Sequence, residues 1–213
     1  MPTPFRTKNL DAAKRQKVKP HEVFHIDDVP RTEWSAGAKF GGIDRKLGAF
    51  GGCSQFGTHL EEIPPGRWNC TFHWHTHEEE HFFILDGHGF FRIGNREVPI
   101  GPGNYVVFPA NGKVAHAMKN TGRTPLRFLV IGTRATGDVC VYPDSGKIAI
   151  GPLGKVGRFV PADYWDGEVE SETTPAGKAP TRAARAKRSR TAAKKSRRSS
   201  SAKRAGKRAV KRG

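Results

Sequence analysis

The sequence predicts an all-β body, of sandwich, jelly-roll or barrel type, carrying a basic tail with no fold of its own. Three observations lead there. Short runs rich in Phe, Val, Ile and Tyr alternate with turn signals at strand-like spacing. Helical periodicity over eleven or more residues is not evident in the body. The formal charge of +17 is also unevenly placed: from Lys178 to Gly213 there are sixteen Lys and Arg and no Asp or Glu. The preceding 177 residues carry twenty-one basic and twenty acidic side chains, a nearly neutral body that needs a separate explanation from its tail.

Taken in order, residues 1–20 are polar and basic and read as a flexible lead-in. Residues 21–166 are long enough for one domain with a hydrophobic core. "HFFILD" at 81, "GFFRIG" at 89, "REVPI" at 96, "YVVFP" at 105, "LRFLVIG" at 126, "VCVYP" at 139 and "KIAI" at 147 read as strands. The Asp-Gly at 86 and the Gly-Asn at 94 read as tight hairpin turns. Residues 167–213 are too poor in apolar side chains to fold alone and read as disordered.

No run of about eighteen apolar residues exists, and the first residues lack the apolar stretch of a signal peptide, so the expectation is a cytoplasmic protein with no membrane contact. Cys53, Cys70 and Cys140 form no CxxC and leave an odd number, which argues against a disulfide framework; each reads as a small buried hydrophobe.

The stretch "FHWHTHEEEHFFILDG", Phe72 to Gly87, holds four of the nine histidines and three glutamates. If it is extended, His73, His75 and His77 share one face. Neighbouring inward imidazoles are costly unless something satisfies them, and a divalent metal satisfies several at once. Glu80 begins the next strand in phase with Phe82 and Ile84, which aims it inward beside the histidines. Glu78 and Glu79 fall in the connection and read as solvated. His21, His25 and His59 have no companions in the sequence that raise them above background.

These residues resemble the first motif of the cupin superfamily: a Gly, then His-x-His, four residues, Glu, six residues, Gly, matched by Gly66, His73, His75, Glu80 and Gly87. "GNYVVFPANGKVAHAMKN" is similar to the second motif through Gly103, Pro109, Gly112, His116 and Asn120, with one extra residue between Pro109 and Gly112. The motifs span 66–120. The resemblance, to a small single-domain bacterial cupin, implies a double-stranded β-helix, the jelly-roll barrel. It also implies one divalent metal ion (Fe, Mn, Ni or Zn) held by His73, His75, Glu80 and His116, with two octahedral positions open to a small-molecule ligand. His77 and Asn120 would stand at the rim or behind the ligands. His81 and His88 read as exposed or hydrogen-bonded strand histidines; Trp74, Phe82, Phe83, Phe90 and Phe91 read as core or dimer surface. A homodimer is expected from the same resemblance.

The tail contains no aromatic residue and is similar in composition to the lysine-rich tails of histone H1-like bacterial proteins. Lys187, Arg188, Lys194, Lys195, Arg197 and Arg198 are candidates for non-specific contact with DNA or RNA phosphates. Three functions stay open at this level. The chain could be a metal-dependent dioxygenase, isomerase or lyase on a small polar or carbohydrate-like molecule, with no catalytic residue named beyond the ligands. It could be a non-enzymatic binder of such a molecule. It could be a dimeric barrel presenting basic arms to nucleic acid.

Overall fold

A computed structural model describes residues 5–168. The six tail cations named above, and the reading of the tail as disordered, lie outside the described residues. The first compact unit closes at Val160, ahead of the expected boundary at 166.

Among the described residues the strands are β1 (Phe5–Asn9), β2 (Arg31–Ala36), β3 (Phe40–Arg45), β4 (Phe56–Ile63), β5 (Trp74–His75), β6 (Glu80–Asp86), β7 (Gly89–Ile93), β8 (Arg96–Ile100), β9 (Tyr105–Phe108), β10 (His116–Asn120), β11 (Leu126–Thr133), β12 (Val139–Tyr142), β13 (Lys147–Ile150) and β14 (Lys155–Gly157). They form a seven-stranded sheet in the order β1-β2-β3-β4-β11-β6-β9, a three-stranded sheet β10-β7-β8 and a four-stranded sheet β14-β13-β12-β5. The all-β expectation holds, and the seven apolar runs all fall on strands.

Strand alternation places the core. On the inner face of the seven-stranded sheet, Ile63 of β4, Phe128 of β11 and Phe82 and Ile84 of β6 meet Phe91, Ile100 and Met118 of the three-stranded sheet. Burial of each such side chain contributes about 1.5–3 kcal/mol, enough to hold the two sheets together. The same parity, followed toward the other end of each strand, brings polar side chains inward: Glu80 two residues before Phe82, and His59 and Glu61 before Ile63. Register confirms the alignment, since Phe128 pairs with both Glu61 and Ile84 and Val130 with both His59 and Phe82. The barrel interior is therefore apolar at one end and titratable at the other.

Two expectations change. Gly94-Asn95 does join a hairpin, with Ile93 paired to Arg96. The Asp86-Gly87 step does not, because β6 pairs with β11 and β9 while β7 pairs with β10 and β8. Gly87 has φ +81°, and a Cβ there would lie 2.5 Å from the Pro125 carbonyl oxygen. The glycine lets the chain cross from one sheet to the other past a closely packed backbone.

Nor is the first segment a loose lead-in: β1 pairs with β2 from Phe5↔Ala36 to Asn9↔Thr32. Val18 packs with Val29 and Phe50 in a small second core, and the bidentate pair of Asp11 with Arg31 ties the intervening loop down. Composition hid this strand because its five residues are all exposed and owe their order to ladder hydrogen bonds.

Candidate metal centre

Two short stretches of backbone bring the motifs together. His73 and His116 exchange both backbone hydrogen bonds, 3.1 Å and 2.8 Å, and β5 sets His75 opposite Cys140 of β12. Glu80 reaches the same point from the first residue of β6. Its Oε2 lies 2.8 Å from His116 Nε2, 3.5 Å from His73 Nε2 and 3.7 Å from His75 Nε2. All four predicted ligands are thus brought together around one carboxylate oxygen. Phe108 stacks on the His116 ring at 3.6 Å and 12°, fixing its plane.

The outer nitrogens decide which atoms face inward. His73 Nδ1 lies 2.7 Å from the Thr71 carbonyl oxygen, which can only accept, so that nitrogen carries a proton. His75 Nδ1 donates in the same way to Asp138 Oδ2 at 2.7 Å. Nε2 of both rings is thereby turned toward Glu80, the orientation a metal-binding imidazole takes. His116 differs, since its Nδ1 is buried without a hydrogen-bond partner and its Nε2 bonds Glu80.

Charge balance in this pocket needs a cation. Burial alone raises the Glu80 carboxyl, but hydrogen bonds from His116 and His73 hold it well below the usual carboxylate range. Burial lowers His73, an effect outweighed by Cys70 and Glu80, which push it up to about 12. Burial keeps His116 below the usual imidazole value. A buried carboxylate among imidazoles favours a positive charge beside it, and a divalent ion bound there would supply that charge in place of a proton. Three imidazoles and one carboxylate, inward and pre-oriented, fit such an ion.

Some assignments shift. His77 is exposed, its ring bonded to Thr76 Oγ1 at 2.8 Å, because the strand ends at His75 and the expected parity ends with it. Asn120 is fully buried but touches no ligand; it donates to the Ile63 and Thr124 carbonyls and accepts from Gly122, holding a turn. The residue behind His75 is Asp138, which also accepts from the His77 backbone at 3.0 Å. Glu78, expected in solvent, sits 3.7 Å from His75 Nδ1. Cys53 is exposed, not buried, and Cys70 Sγ lies 3.6 Å from His73 Nδ1. His59 has companions after all in Asp44 and Glu61.

Two cavities reach Glu80. One, of about 450 Å³, is lined by His75, His116, Trp74, Arg96 and Lys113. The extra residue of the second motif lies in its rim loop, where Asn111 and Lys113 adopt left-handed φ of 55° and 54°. The other, of about 410 Å³, is lined by His73, His59, Glu61, Cys70 and Arg134. Burial first, then Asp44 and Glu80, raise the Glu61 carboxyl to about 8.

The family model described as Cupin domain matches residues 59–132. Over 70 residues the chain is 39% identical to an oxalate-binding protein of Thermotoga maritima, a match covering 33% of this chain and 55% of that one, so the chain spans about half of its length. A solved structure from Acidithiobacillus ferrooxidans, named provisionally as a sugar phosphate isomerase, is 35% identical with a TM-score of 0.53, covering 55% of this chain and 74% of that one. A second, a sugar phosphate isomerase from Silicibacter pomeroyi, is 24% identical with a TM-score of 0.57, covering 71% and 98%; it matches in fold.

Proposed function

From the premise that this chain belongs to the cupin superfamily, we propose that it is a mononuclear metal-dependent enzyme acting on a small anionic, carbohydrate-like molecule, of the isomerase class. The ligands are His73, His75, Glu80 and His116, and the ion is Fe, Mn, Ni or Zn. The observation that carries the reading is the convergence of three Nε2 atoms on Glu80 Oε2, with Glu80, His75 and His116 lining an open cavity.

Bound there, a divalent ion supplies Lewis-acid polarisation of a substrate oxygen. The chain's own residues do the rest of the binding. Arg96 and Lys113 line the same cavity as His75 and His116, where a phosphate or carboxylate would meet two cations. Trp74 offers an apolar wall beside them. Two relatives, at 39% and 35% identity, carry names that point to small anions, oxalate and a sugar phosphate, in keeping with that cationic lining.

The name of the Thermotoga relative favours a second reading, a binder without turnover. The working form is a homodimer through the outer face of β6, β9 and β11, where Phe83, Leu85, Tyr105, Val107 and Ile131 are exposed.

Elemental analysis of the purified protein tests the centre. Stoichiometric metal that is lost in the His73→Ala, His75→Ala double variant is expected; a well-folded native protein without metal would overturn the proposal. Aldose and ketose phosphates incubated with the metal-loaded protein, followed by NMR, separate the readings: interconversion supports the isomerase, and saturable binding without conversion supports the binder.

A further inference from the structure

The polar end of the barrel holds a second cluster that the family motifs do not include. Asp44 on β3 and Glu61 on β4 are direct cross-strand partners. Two carboxylates in that relation repel unless one takes up a proton, as the raised Glu61 carboxyl does in the ion-free chain, or a positive charge lies between them. His59, two residues before Glu61, shares its face. One donor atom from each of Asp44, His59 and Glu61 lies within 4.8 Å of the other two.

The decisive group is Asp44. It is 8% exposed, and its Oδ1 is buried without a hydrogen-bond partner. His59 Nδ1 stands 3.1 Å from that oxygen, as close as a hydrogen bond, yet without the alignment of one. A buried acceptor left unpaired beside a ring nitrogen and opposite a second carboxylate calls for a partner, and a bound cation would supply one to all three groups at once. Arg134 lines the cavity with His59 and Glu61, but among the described residues no ion pair joins it to either acid.

We propose that Asp44, His59 and Glu61 form a second divalent-cation site, on the wall of the cavity that Glu80 and His73 also line. Two carboxylates and one imidazole are a harder donor set than the three imidazoles and one carboxylate of the first site, and they suit Mn²⁺ well. The side open to the cavity of about 410 Å³ leaves coordination positions for water or for an anionic group of a bound ligand. Arg134 is placed to meet the same anion.

The test uses the full chain, stripped of metal by a chelator and dialysed against Mn²⁺, with bound metal counted by elemental analysis and folding followed by circular dichroism. Two Mn²⁺ per chain are expected in the unaltered protein, one in the isosteric Asp44→Asn, Glu61→Gln variant, and one in the His73→Ala, His75→Ala variant. A single Mn²⁺ that survives Asp44→Asn, Glu61→Gln and disappears with His73→Ala, His75→Ala would overturn this site and leave the first standing. The reverse pattern would support this site and overturn the first. If Asp44→Asn, Glu61→Gln fails to fold, the histidine variant decides: one Mn²⁺ retained supports the second site, none refutes it.

Discussion

His75 Nδ1 and Asp138 Oδ2 lie 2.7 Å apart although 63 residues separate them in the chain. The carboxylate is itself held by the His77 backbone N–H and by Thr76 Oγ1, at 3.0 Å and 3.3 Å. Against burial, the His75 and His77 hydrogen bonds keep Asp138 below the usual carboxylate range. It stays charged, fixes the His75 tautomer and turns Nε2 toward Glu80.

Asp138→Asn keeps the shape but removes the charge that makes the His75 nitrogen a stronger donor. Loss of such an outer partner lowers metal affinity by about 10- to 100-fold. Competition of the metal-loaded protein with a chromophoric chelator measures it. An unchanged affinity would mean that His75 needs no orienting carboxylate.

How much of this centre could be read in advance follows from range along the chain. His73, His75 and Glu80 lie within eight residues: alternation sets the two histidines on one face, and the phase of Glu80 with Phe82 and Ile84 turns it inward beside them. His116 enters through the spacing of its own motif. Asp138 precedes the strand "VCVYP" without a periodic signal, and only the pairing of β12 with β5 brings it under His75. The second cluster hid for a related reason. β4 reads "FGTHLEEI", and the inward His59 and Glu61 break the apolar alternation by which strands are recognised. Strands β6 to β9 carry short runs of Phe, Val, Ile and Tyr between turn signals and were legible; β1 to β4, polar or glycine-rich, were not.

The outer face of β6, β9 and β11 makes a prediction about assembly. Phe83 pairs with Tyr105 across the ladder, and five apolar residues on this face are each at least 37% exposed. If two copies meet there, Phe83→Glu buries a charge at the centre of the interface. Loss of one well-packed aromatic anchor weakens association by about 1.4 kcal/mol or more, roughly tenfold. Sedimentation of both forms over a concentration series reads the change. Equal dimerisation of the two would move the interface elsewhere.

The ordered N-terminal segment can be tested through pH. Arg31 Nε and Nη2 donate to Asp11 Oδ2 and Oδ1 at 2.8 Å and 3.1 Å, and the Arg31 backbone N–H adds a third bond at 3.0 Å. These bonds hold the Asp11 carboxyl well below its usual range. A carboxyl depressed in the folded state stabilises the fold fully above its unfolded value of about 3.9, and that contribution fades as pH falls toward the folded value. Asp11→Asn should therefore lower the melting temperature at pH 7, and the gap to the unaltered protein should narrow at pH 3. In the same variant, amide exchange in Phe5–Asn9 should speed up, because Arg31 begins the strand on which β1 pairs. A gap of equal size at both pH values would show that the Asp11 charge contributes nothing to the clamp. Unchanged exchange would show that β1 is held by its ladder alone.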